Sequence, residues 1–276
     1  MIHSATTSVG IVGTGEMGMP LVQRLLQAGF PVAAYARRND SRDLLARMGA
    51  SLVDNLGELG ARRDVVFVYV YSDEQVRAVT LEGGLLDAMA PGSTLVIVTT
   101  GSPLTARLVG ERANSRGVRV VDAPGSGGPA QVANGTLSVF VGGDDADVDR
   151  CRPLFDAYAS HVYHLGALGT GQYIKLINNL LFGCHIELAA EACRIAALAG
   201  IDDATLARTL STCSGQSYSL DLIGTIGSVE RLVEAAGHFV YKDVAVARDV
   251  AAETDAPLGS FGPLIDPLLR RTAPKS

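Results

Sequence analysis

Several kinds of residue are scarce in this chain, and each scarcity excludes a class of protein. Tryptophan is absent, aromatic residues make up 5% of the 276 residues, and the tyrosines show no spacing that suggests base stacking. Basic residues are outnumbered, with 23 Lys and Arg against 29 Asp and Glu, so the net charge is −6. A general nucleic-acid binder needs a basic face, so we exclude nucleic acid as a partner. One small anion could still bind in a local basic pocket.

Long apolar segments and targeting signals are also missing. The most apolar uncharged stretch lies between Lys175 and Glu187, which is too short to span a bilayer. The first residues have no basic flank before their apolar run, so they do not form a signal peptide. Four cysteines are spread along the chain without a CxxC pair or a Cys/His cluster, at Cys151, Cys184, Cys193 and Cys213. We therefore expect reduced, buried thiols, no metal, no membrane partner and a cytoplasmic location.

What the chain does contain is enough apolar material for a sizeable core, since hydrophobic residues make up 47%. Over the first 165 residues, short apolar runs alternate with helical patterns. Amphipathic stretches such as Met17–Ala28 and Asp40–Met48 predict helices, each followed by a glycine. Six runs rich in Val and Ile predict buried strands: Ser8–Val12, Val32–Tyr35, Val65–Val70, Thr94–Val98, Val118–Val121 and Leu137–Val141. This alternation predicts βαβ units in a mostly parallel sheet.

The pattern changes near Leu165. From Gly171 to Ala199 apolar residues recur at helical spacing without proline, which predicts one long helix. Further helical stretches follow, with no convincing strand among them: Asp202–Leu210, Ser228–Ala236 and Lys242–Glu253. The sequence therefore predicts an α/β Rossmann-type N-terminal domain over residues 1–165. An all-α C-terminal domain over residues 166–276 follows it, joined through the long interdomain helix.

A glycine-rich loop lies between the first predicted strand and the first predicted helix. Gly13, Gly15 and Gly18 form a GxGxxG pattern in the context that a dinucleotide fingerprint requires. Gly13 allows the tight turn, Gly15 lets the backbone approach a pyrophosphate, and Gly18 permits close helix–strand packing. We therefore predict that this loop binds the cofactor, together with its intervening residues Glu16 and Met17. The alternative is a glycine-rich turn without a ligand, which the strand–loop–helix context disfavours.

The end of the second predicted strand indicates which dinucleotide binds. An NAD enzyme usually places Asp or Glu there to bind the ribose hydroxyls. Here Arg37 and Arg38 follow the strand, and the first acid is Asp40. Two guanidinium groups suit the 2′-phosphate of NADP, so we predict NADP rather than NAD. The alternative is that both arginines are a solvated strand end.

The predicted long helix carries a lysine and an asparagine on one face. Lys175 and Asn179 are four residues apart, which places them one above the other. A lysine in a mostly apolar stretch at a domain junction is partly desolvated and becomes a usable proton donor or acceptor near neutral pH. Asn179 could orient a substrate hydroxyl or carbonyl, whereas Asn178 points about 100° away and is assigned a structural role. The alternative is a snorkelling lysine beside a helix-packing asparagine.

A second glycine-rich segment follows the Val118–Val121 strand. Loops at the carboxyl ends of such strands are where ligands bind. Ser126 and the backbone N–H groups of Gly127 and Gly128 could hold a carboxylate. The alternative is an ordinary Gly/Pro connector.

Four motifs in fixed order resemble those of the β-hydroxyacid dehydrogenase superfamily, and the resemblance covers nearly the whole chain. They are GxGxMGxP (Gly13–Pro20), DAPxSGGxxxxxxGTLxxxVGG (Asp122–Gly143), GxGxxxKxxNN (Gly169–Asn179) and KD (Lys242–Asp243). This superfamily includes 3-hydroxyisobutyrate dehydrogenases and the tartronate-semialdehyde and glyoxylate/succinic-semialdehyde reductases. The chain departs from the family pattern at Gly125, where a bulkier residue such as Val is usual.

The resemblance implies an NADP-dependent oxidoreductase that transfers a hydride between nicotinamide and a small hydroxyacid or semialdehyde. It implies Lys175 as the general acid/base with Asn179 as its partner, and Ser126–Gly128 as the carboxylate loop. It adds cofactor contacts at Val70, Tyr71, Thr100 and Lys242. Family members assemble through their helical domains, which implies a homodimer or homotetramer.

Two other functions are compatible with the same architecture. Imine reductases share it but usually place Asp or Tyr where this chain has Lys175. A non-catalytic NADP-binding protein could also keep the fold, although the intact pair Lys175 and Asn179 disfavours it.

Overall fold

The structure is a computed structural model that describes residues 7–273. The chain divides into two compact units, the first ending at Lys175 and the second beginning at Leu176. The strands, all in the first unit, are β1 (Val9–Val12), β2 (Val32–Tyr35), β3 (Ser51–Val53), β4 (Val65–Val68), β5 (Thr94–Ile97), β6 (Arg119–Asp122), β7 (Gly125–Ser126), β8 (Leu137–Val141) and β9 (Ala159–His164).

Most helices of the first unit follow a strand, as expected for βαβ units. They are α1 (Gly18–Gln27), α2 (Asn39–Met48), α3 (Leu56–Gly60), α4 (Asp73–Arg77), α5 (Leu85–Ala88), α6 (Pro103–Asn114), α7 (Pro129–Asn134) and α8 (Asp145–Asp156), with a π-helical turn at Ala78–Glu82. The long helix α9 (Thr170–Ala197) begins in the first unit and continues into the second. The remaining helices are α10 (Asp203–Leu210), α11 (Tyr218–Ile226), α12 (Val229–Glu253) and α13 (Phe261–Thr272).

The main sheet is parallel throughout and has the order β3-β2-β1-β4-β5-β6. Its central strands are buried on both faces, because alternate residues enter two different hydrophobic clusters. Val65 and Phe67 of β4 join one cluster, and Val66 and Val68 join the other. This explains why the strands read as continuous apolar runs. The chain order reverses between β1 and β4, and ligands of such sheets bind outside the carboxyl ends of strands at this point.

The sequence prediction is wrong about one strand's partners. Leu137–Val141 has the predicted bounds, but it lies in a second sheet of order β7-β8-β9 rather than in the main one. There it pairs antiparallel with β7 and parallel with β9. The sixth strand of the main sheet is β3, which lies at the edge opposite β6. β3 has three residues, of which Ser51 is exposed, so it lacks the apolar run that identified the other strands.

In the second unit, two helices that were predicted separately form one continuous helix. Ser228–Ala236 and Lys242–Glu253 are parts of the single helix α12, which Ser228 caps by accepting the Arg231 N–H. Gly237 does not interrupt it. A Cβ at Gly237 would overlap the side chain of Thr272 on α13, so this glycine allows two helices to pack closely.

The thiol prediction is wrong for one cysteine. Cys151, Cys184 and Cys193 are buried, but Cys213 is exposed after the end of α10. Within residues 7–273, no helix is long and apolar enough to cross a membrane. The same part of the chain contains no group of three or more His, Cys, Asp or Glu side chains arranged to hold a metal ion.

Candidate active site

The glycine loop joins β1 to α1 at the point where the sheet reverses its strand order. Gly13 has a φ of +95°, and a Cβ there would overlap the carbonyl oxygen of Tyr69 at the end of β4. A Cβ at Gly18 would overlap the carbonyl oxygen of Gly13. A Cβ at Gly15, by contrast, would have no atom within 4 Å. The first and third glycines are therefore required by the protein's own packing, whereas the second leaves an open space beside the backbone.

Helix α1 begins at Gly18, three residues after Gly15, and the Met19 N–H donates to the Gly15 carbonyl. Met17 is the N-cap residue, and no side chain of the described chain caps the helix there. The first turn contains no acidic residue, and Gly15 and Glu16 are exposed. A helix N-terminus with uncapped N–H groups binds anions through hydrogen bonds and through its partial positive charge.

Two cationic side chains lie where β2 leads into α2. Arg37 and Arg38 are both exposed, and Arg38 is the N-cap residue of α2. The Arg38 guanidinium lies 3.4 Å from the Ser41 hydroxyl. The first acidic residue, Asp40, is in the first turn of α2. The carboxyl end of β2 therefore presents positive charge.

The β4 and β5 ends are tied together beside the glycine loop. The Thr99 hydroxyl donates to the Val70 carbonyl over 3.0 Å and lies 3.3 Å from the Val68 carbonyl. The Tyr71 N–H donates to the Gln75 side chain, and the Tyr71 ring is 50% exposed. Val70 thus lies beside Gly13 on one side and Thr99 on the other, and Tyr71 follows it.

Thr100 is held on both sides by one side chain of α9. The Gln172 amide nitrogen donates to the Thr99 carbonyl, and its oxygen accepts from the Gly101 N–H, each over 2.9 Å. Gln172 is 1% exposed. No sequence pattern assigned this glutamine a role. Its only signal was its place between Gly171 and Lys175 at the start of the predicted helix.

A buried carboxylate holds Gln172 in turn. Asp122, at the end of β6, is fully buried and accepts the Gly169 N–H over 2.6 Å and the Gln172 N–H over 2.8 Å. Burial raises the pKa of Asp122 to about 6, against the lowering effects of these two hydrogen bonds and of the Arg107 charge. The sequence analysis quoted Asp122 within a motif without assigning it a role.

The predicted carboxylate loop lies on the small sheet. Ser126 pairs with Ser138 across β7 and β8 and is half-buried, while Gly127 is exposed. The Gly128 N–H donates to the Gln131 side chain over 2.9 Å at the start of α7. A ligand could use this N–H only after Gln131 moves, so Ser126 and Gly127 remain the accessible donors of the loop.

Lys175 and Asn179 lie on one face of α9, as helix geometry requires for residues four apart. Lys175 is 9% exposed and Asn179 is 8% exposed. Asn178 is half-buried and donates its amide to the Asn179 side-chain oxygen over 3.0 Å. Both predicted catalytic side chains are therefore largely excluded from water.

Within the second unit, Asn179 contacts the KD motif of α12. Its amide nitrogen donates to one carboxylate oxygen of buried Asp243, and the Lys242 ammonium lies 2.6 Å from the other. The second contact is an attraction between charges without hydrogen-bond alignment, since that Asp243 oxygen has no hydrogen-bond partner among the described residues. Asp243, which the sequence analysis did not single out, fixes the orientation of the Asn179 amide.

Two family models together match most of the chain. Residues 8–166 match the NAD binding domain of 6-phosphogluconate dehydrogenase. Residues 169–267 match the model described as NAD-binding of NADP-dependent 3-hydroxyisobutyrate dehydrogenase. The predicted dinucleotide-binding domain is confirmed in this coarser form, as an NAD(P)-binding domain.

Individual relatives agree with these models. The NAD-dependent L-serine dehydrogenase of Pseudomonas aeruginosa is 30% identical over 92% of this chain and 89% of its own length. The 3-hydroxyisobutyrate dehydrogenase of Mycobacterium tuberculosis, solved with L-serine, has a TM-score of 0.87 at 26% identity, covering 97% of this chain and 94% of its own. An imine reductase of Streptomyces aurantiacus has a TM-score of 0.69 at 19% identity, covering 96% and 94%, and shares the fold alone. The chain therefore belongs to the β-hydroxyacid dehydrogenase superfamily and is an NAD(P)-binding oxidoreductase of its 3-hydroxyisobutyrate dehydrogenase-like group.

Proposed function

We propose that this protein is an NADP-dependent oxidoreductase that interconverts a small β-hydroxyacid and its carbonyl form, with Lys175 as general acid/base. One observation carries the proposal. A lysine that is 9% exposed lies one helical turn after Gln172, the side chain that holds the Thr100 loop from both sides. A proton-transfer group is thus fixed to the loop that the family resemblance assigns to the nicotinamide.

The residues present fit a dinucleotide. The open space at Gly15 and the uncapped start of α1 suit a pyrophosphate, because backbone N–H groups can approach it without a side chain in the way. Arg37 and Arg38, exposed and without a preceding acid, suit the extra phosphate of NADP. The description of the matching C-terminal family model also names an NADP-dependent enzyme.

The chain's own groups then account for the proton transfer. Bound NADPH supplies the hydride to the carbonyl carbon. Lys175 holds a proton at Nζ and gives it to the carbonyl oxygen as that oxygen becomes a hydroxyl. The family resemblance makes Asn179 the partner of Lys175, and within the second unit Asp243 orients its amide. Ser126 and Gly127 bind the substrate carboxylate, and in the oxidative direction neutral Lys175 takes up the hydroxyl proton.

The same lysine favours a hydroxyacid dehydrogenase over the two alternatives. An imine reductase on this fold usually carries Asp or Tyr at this position, so the resemblance to the imine reductases extends to the fold alone. A protein that only binds NADP would have no requirement for Lys175 and Asn179 to be buried together on one helix face.

The decisive variant is Lys175→Ala. We expect turnover of small semialdehydes and hydroxyacids to fall by about 100-fold or more, since general acid–base catalysis contributes about 10²–10⁴-fold. Binding of NADPH, followed by its fluorescence, should stay close to that of the wild type. Arg194→Ala is the matched control, because it also removes a positive charge from α9 but from an exposed side chain. Retained turnover in Lys175→Ala would refute the assignment, and turnover of cyclic imines alone would favour an imine reductase.

The coenzyme preference rests on Arg37. We expect Arg37→Ala to weaken binding of 2′,5′-ADP, which carries the 2′-phosphate, by about tenfold, equivalent to about 1.4 kcal/mol. Binding of 5′-AMP, which lacks that phosphate, should not change. Arg47→Ala is the control for net charge, since Arg47 is exposed in the last turn of the following helix, α2. Equal affinity of Arg37→Ala and wild type for 2′,5′-ADP would contradict the assignment.

We also propose a homodimer or homotetramer formed through the helical unit. Leu181, Leu188 and Ile195 recur every seven residues along α9, with Ile177 one turn before them, and all four are exposed. Such an apolar stripe on a long helix is typical of a helix–helix interface. Light scattering should give a mass of at least two chains, and Leu188→Glu should reduce it. A monomeric wild type would contradict this part of the proposal.

A further inference from the structure

Asp122 caps the N-terminus of helix α9, which has no capping side chain of its own. The residue before the first turn of α9 is Gly169, which has no side chain to cap the helix. Asp122 accepts both the Gly169 N–H and the N–H of Gln172, the third helical residue. These are the donors that a local capping side chain would satisfy. A Cβ at Gly171 would lie 2.8 Å from the carboxylate, so the first turn of α9 closes tightly around it.

The carboxylate itself is rigidly placed. Asp122 exchanges two backbone hydrogen bonds with Gly142, over 3.0 and 2.9 Å. The next residue, Ala123, donates to the Ile97 carbonyl of β5 over 2.8 Å. Neighbouring backbone segments on both sides therefore fix the end of β6. A charged group on such a support can determine the position of a helix that it caps.

Gln172 connects the first turn of α9, which Asp122 holds, to the loop around Thr100. Its backbone N–H is held by Asp122, and its side-chain amide makes two hydrogen bonds to the peptide groups on either side of Thr100. Both ends of the amide are satisfied in a site that is 1% exposed, so no water competes for them. Asp73 holds the same loop from the other side by accepting the Ser102 N–H over 2.7 Å.

We propose that Asp122 and Gln172 are positioning residues of the reaction proposed above: together they lock the first turn of α9 to the Thr99–Gly101 loop and thereby fix the place of Lys175, which follows one turn later. The inference rests on the proposed function of Lys175. It assigns Asp122 and Gln172 no contact with substrate. Their effect is on the rate of the chemical step, because small displacements of a proton donor lower that rate strongly.

Because Asp122 can ionise, the contacts that hold the first turn of α9 to the Thr99–Gly101 loop depend on pH. Arg107 on α6 is the charged group that acts on Asp122. Among the described residues, the titratable groups on the surrounding elements include Lys175 on α9, Asp73 at the start of α4, His164 beside Gly143, and Asp147 of α8, which pairs with Arg119 at the other end of β6. Burial raises the pKa of Asp122 to about 6, and a protonated carboxyl offers one good acceptor fewer to the two N–H groups. A fall of kcat below about pH 6 is expected in wild type and not in Asp122→Asn, whose side chain cannot ionise. Such a fall would report on Asp122.

The test compares Asp122→Asn and Gln172→Met with wild type. Asp147→Asn is the matched control, since Asp147 also has a raised pKa caused by burial but pairs with Arg119 at the other end of β6. We expect kcat for reduction to fall about 10- to 100-fold in both variants, with KM for NADPH unchanged. Wild-type kcat should fall towards the Asp122→Asn value below pH 6, whereas kcat of the variant should not fall in this pH range. The double variant should lose no more than the worse single one, because both act through one chain of contacts.

Hydrogen–deuterium exchange provides a readout that does not depend on activity. Exchange at residues 99–102 and 169–175 should accelerate in both variants and not in Asp147→Asn. Gln172→Glu keeps the acceptor for the Gly101 N–H and should fall between wild type and Gln172→Met. Unchanged exchange in these segments, or wild-type kcat despite faster exchange, would overturn the positioning role. Failure of the proposed function would look different, because Lys175→Ala would then keep full turnover whatever the exchange data gave.

Discussion

The glycine loop and the Asp122–Gln172 contacts both hold parts of the candidate active site, but they are built differently. The loop consists of residues 13–18, adjacent in the chain, and two of its glycines are required by contacts with nearby backbone. The contacts of Asp122 and Gln172 join residues that are 47 to 73 positions apart. A local motif can be recognised by its spacing alone. A set of long-range hydrogen bonds exists only once the sheet has brought its strand ends together.

The largest expected effect is a difference in the free energy of unfolding between substitutions at two glycines of the loop. Gly18→Ala introduces a Cβ that overlaps the Gly13 carbonyl, so we expect the free energy of unfolding to fall by about 3 kcal/mol. Gly15→Ala should change it by less than about 0.5 kcal/mol, because a Cβ there meets no atom within 4 Å. Gly15→Ala should nevertheless weaken NADPH binding. Urea denaturation and NADPH fluorescence measure the two quantities, and equal destabilisation by both substitutions would contradict the distinction.

The second prediction concerns the buried carboxylate and stability. The folded-state pKa of Asp122, about 6, lies above its ordinary value of 3.8. Protonation therefore stabilises the fold, and this contribution is present below pH 3.8 and is lost as the pH rises through 6. The shift corresponds to up to about 3 kcal/mol. Relative to Asp122→Asn, wild type should gain stability as the pH falls from 7 towards 4, as measured by urea denaturation.

This dependence has the opposite sign to the one expected for activity. Acid should stabilise the fold while it lowers kcat, because the ionised carboxylate is less stable in a buried site but is the better acceptor for the two N–H groups of α9. A residue that served stability alone would make the free energy of unfolding depend on pH and leave kcat unchanged. If the stabilities of wild type and Asp122→Asn changed in parallel as the pH is lowered, the carboxylate would have no raised pKa in the folded protein.

The smallest expected effect tests a position where this chain departs from its family. A Cβ at Gly125 would lie 2.5 Å from a methyl carbon of fully buried Leu137, so the leucine occupies the space of the bulkier residue usual there. Gly125→Val should therefore lower the free energy of unfolding by about 1–3 kcal/mol through overpacking. In the double variant Gly125→Val with Leu137→Ala, the loss of stability should be smaller than the sum of the two single losses. Additive losses in a thermal denaturation series would show that the two side chains do not compete for space.

Much of the fold could be predicted because its signals are local. β2 and β8 have the predicted bounds, and α2 begins one residue earlier than predicted. Periodicity could not assign strand partners, so Leu137–Val141 was placed in the wrong sheet. Nor did it identify β3, which has too few apolar residues, or the continuity of α12 through Gly237, where glycine serves the packing against Thr272.

The candidate site divides in the same way. The sequence by itself determined the strand–glycine–helix unit, the pair of arginines after β2 and the shared helix face of Lys175 and Asn179, since each depends on residues a few positions apart and on the geometry of one element. Only the tertiary structure decided which buried groups hold them. Asp122 caps a helix that begins far along the chain, Gln172 holds the Thr100 loop, and Asp243 orients Asn179. Spacing along the chain carries no information about such pairs, because burial and hydrogen-bond geometry arise only when distant segments pack.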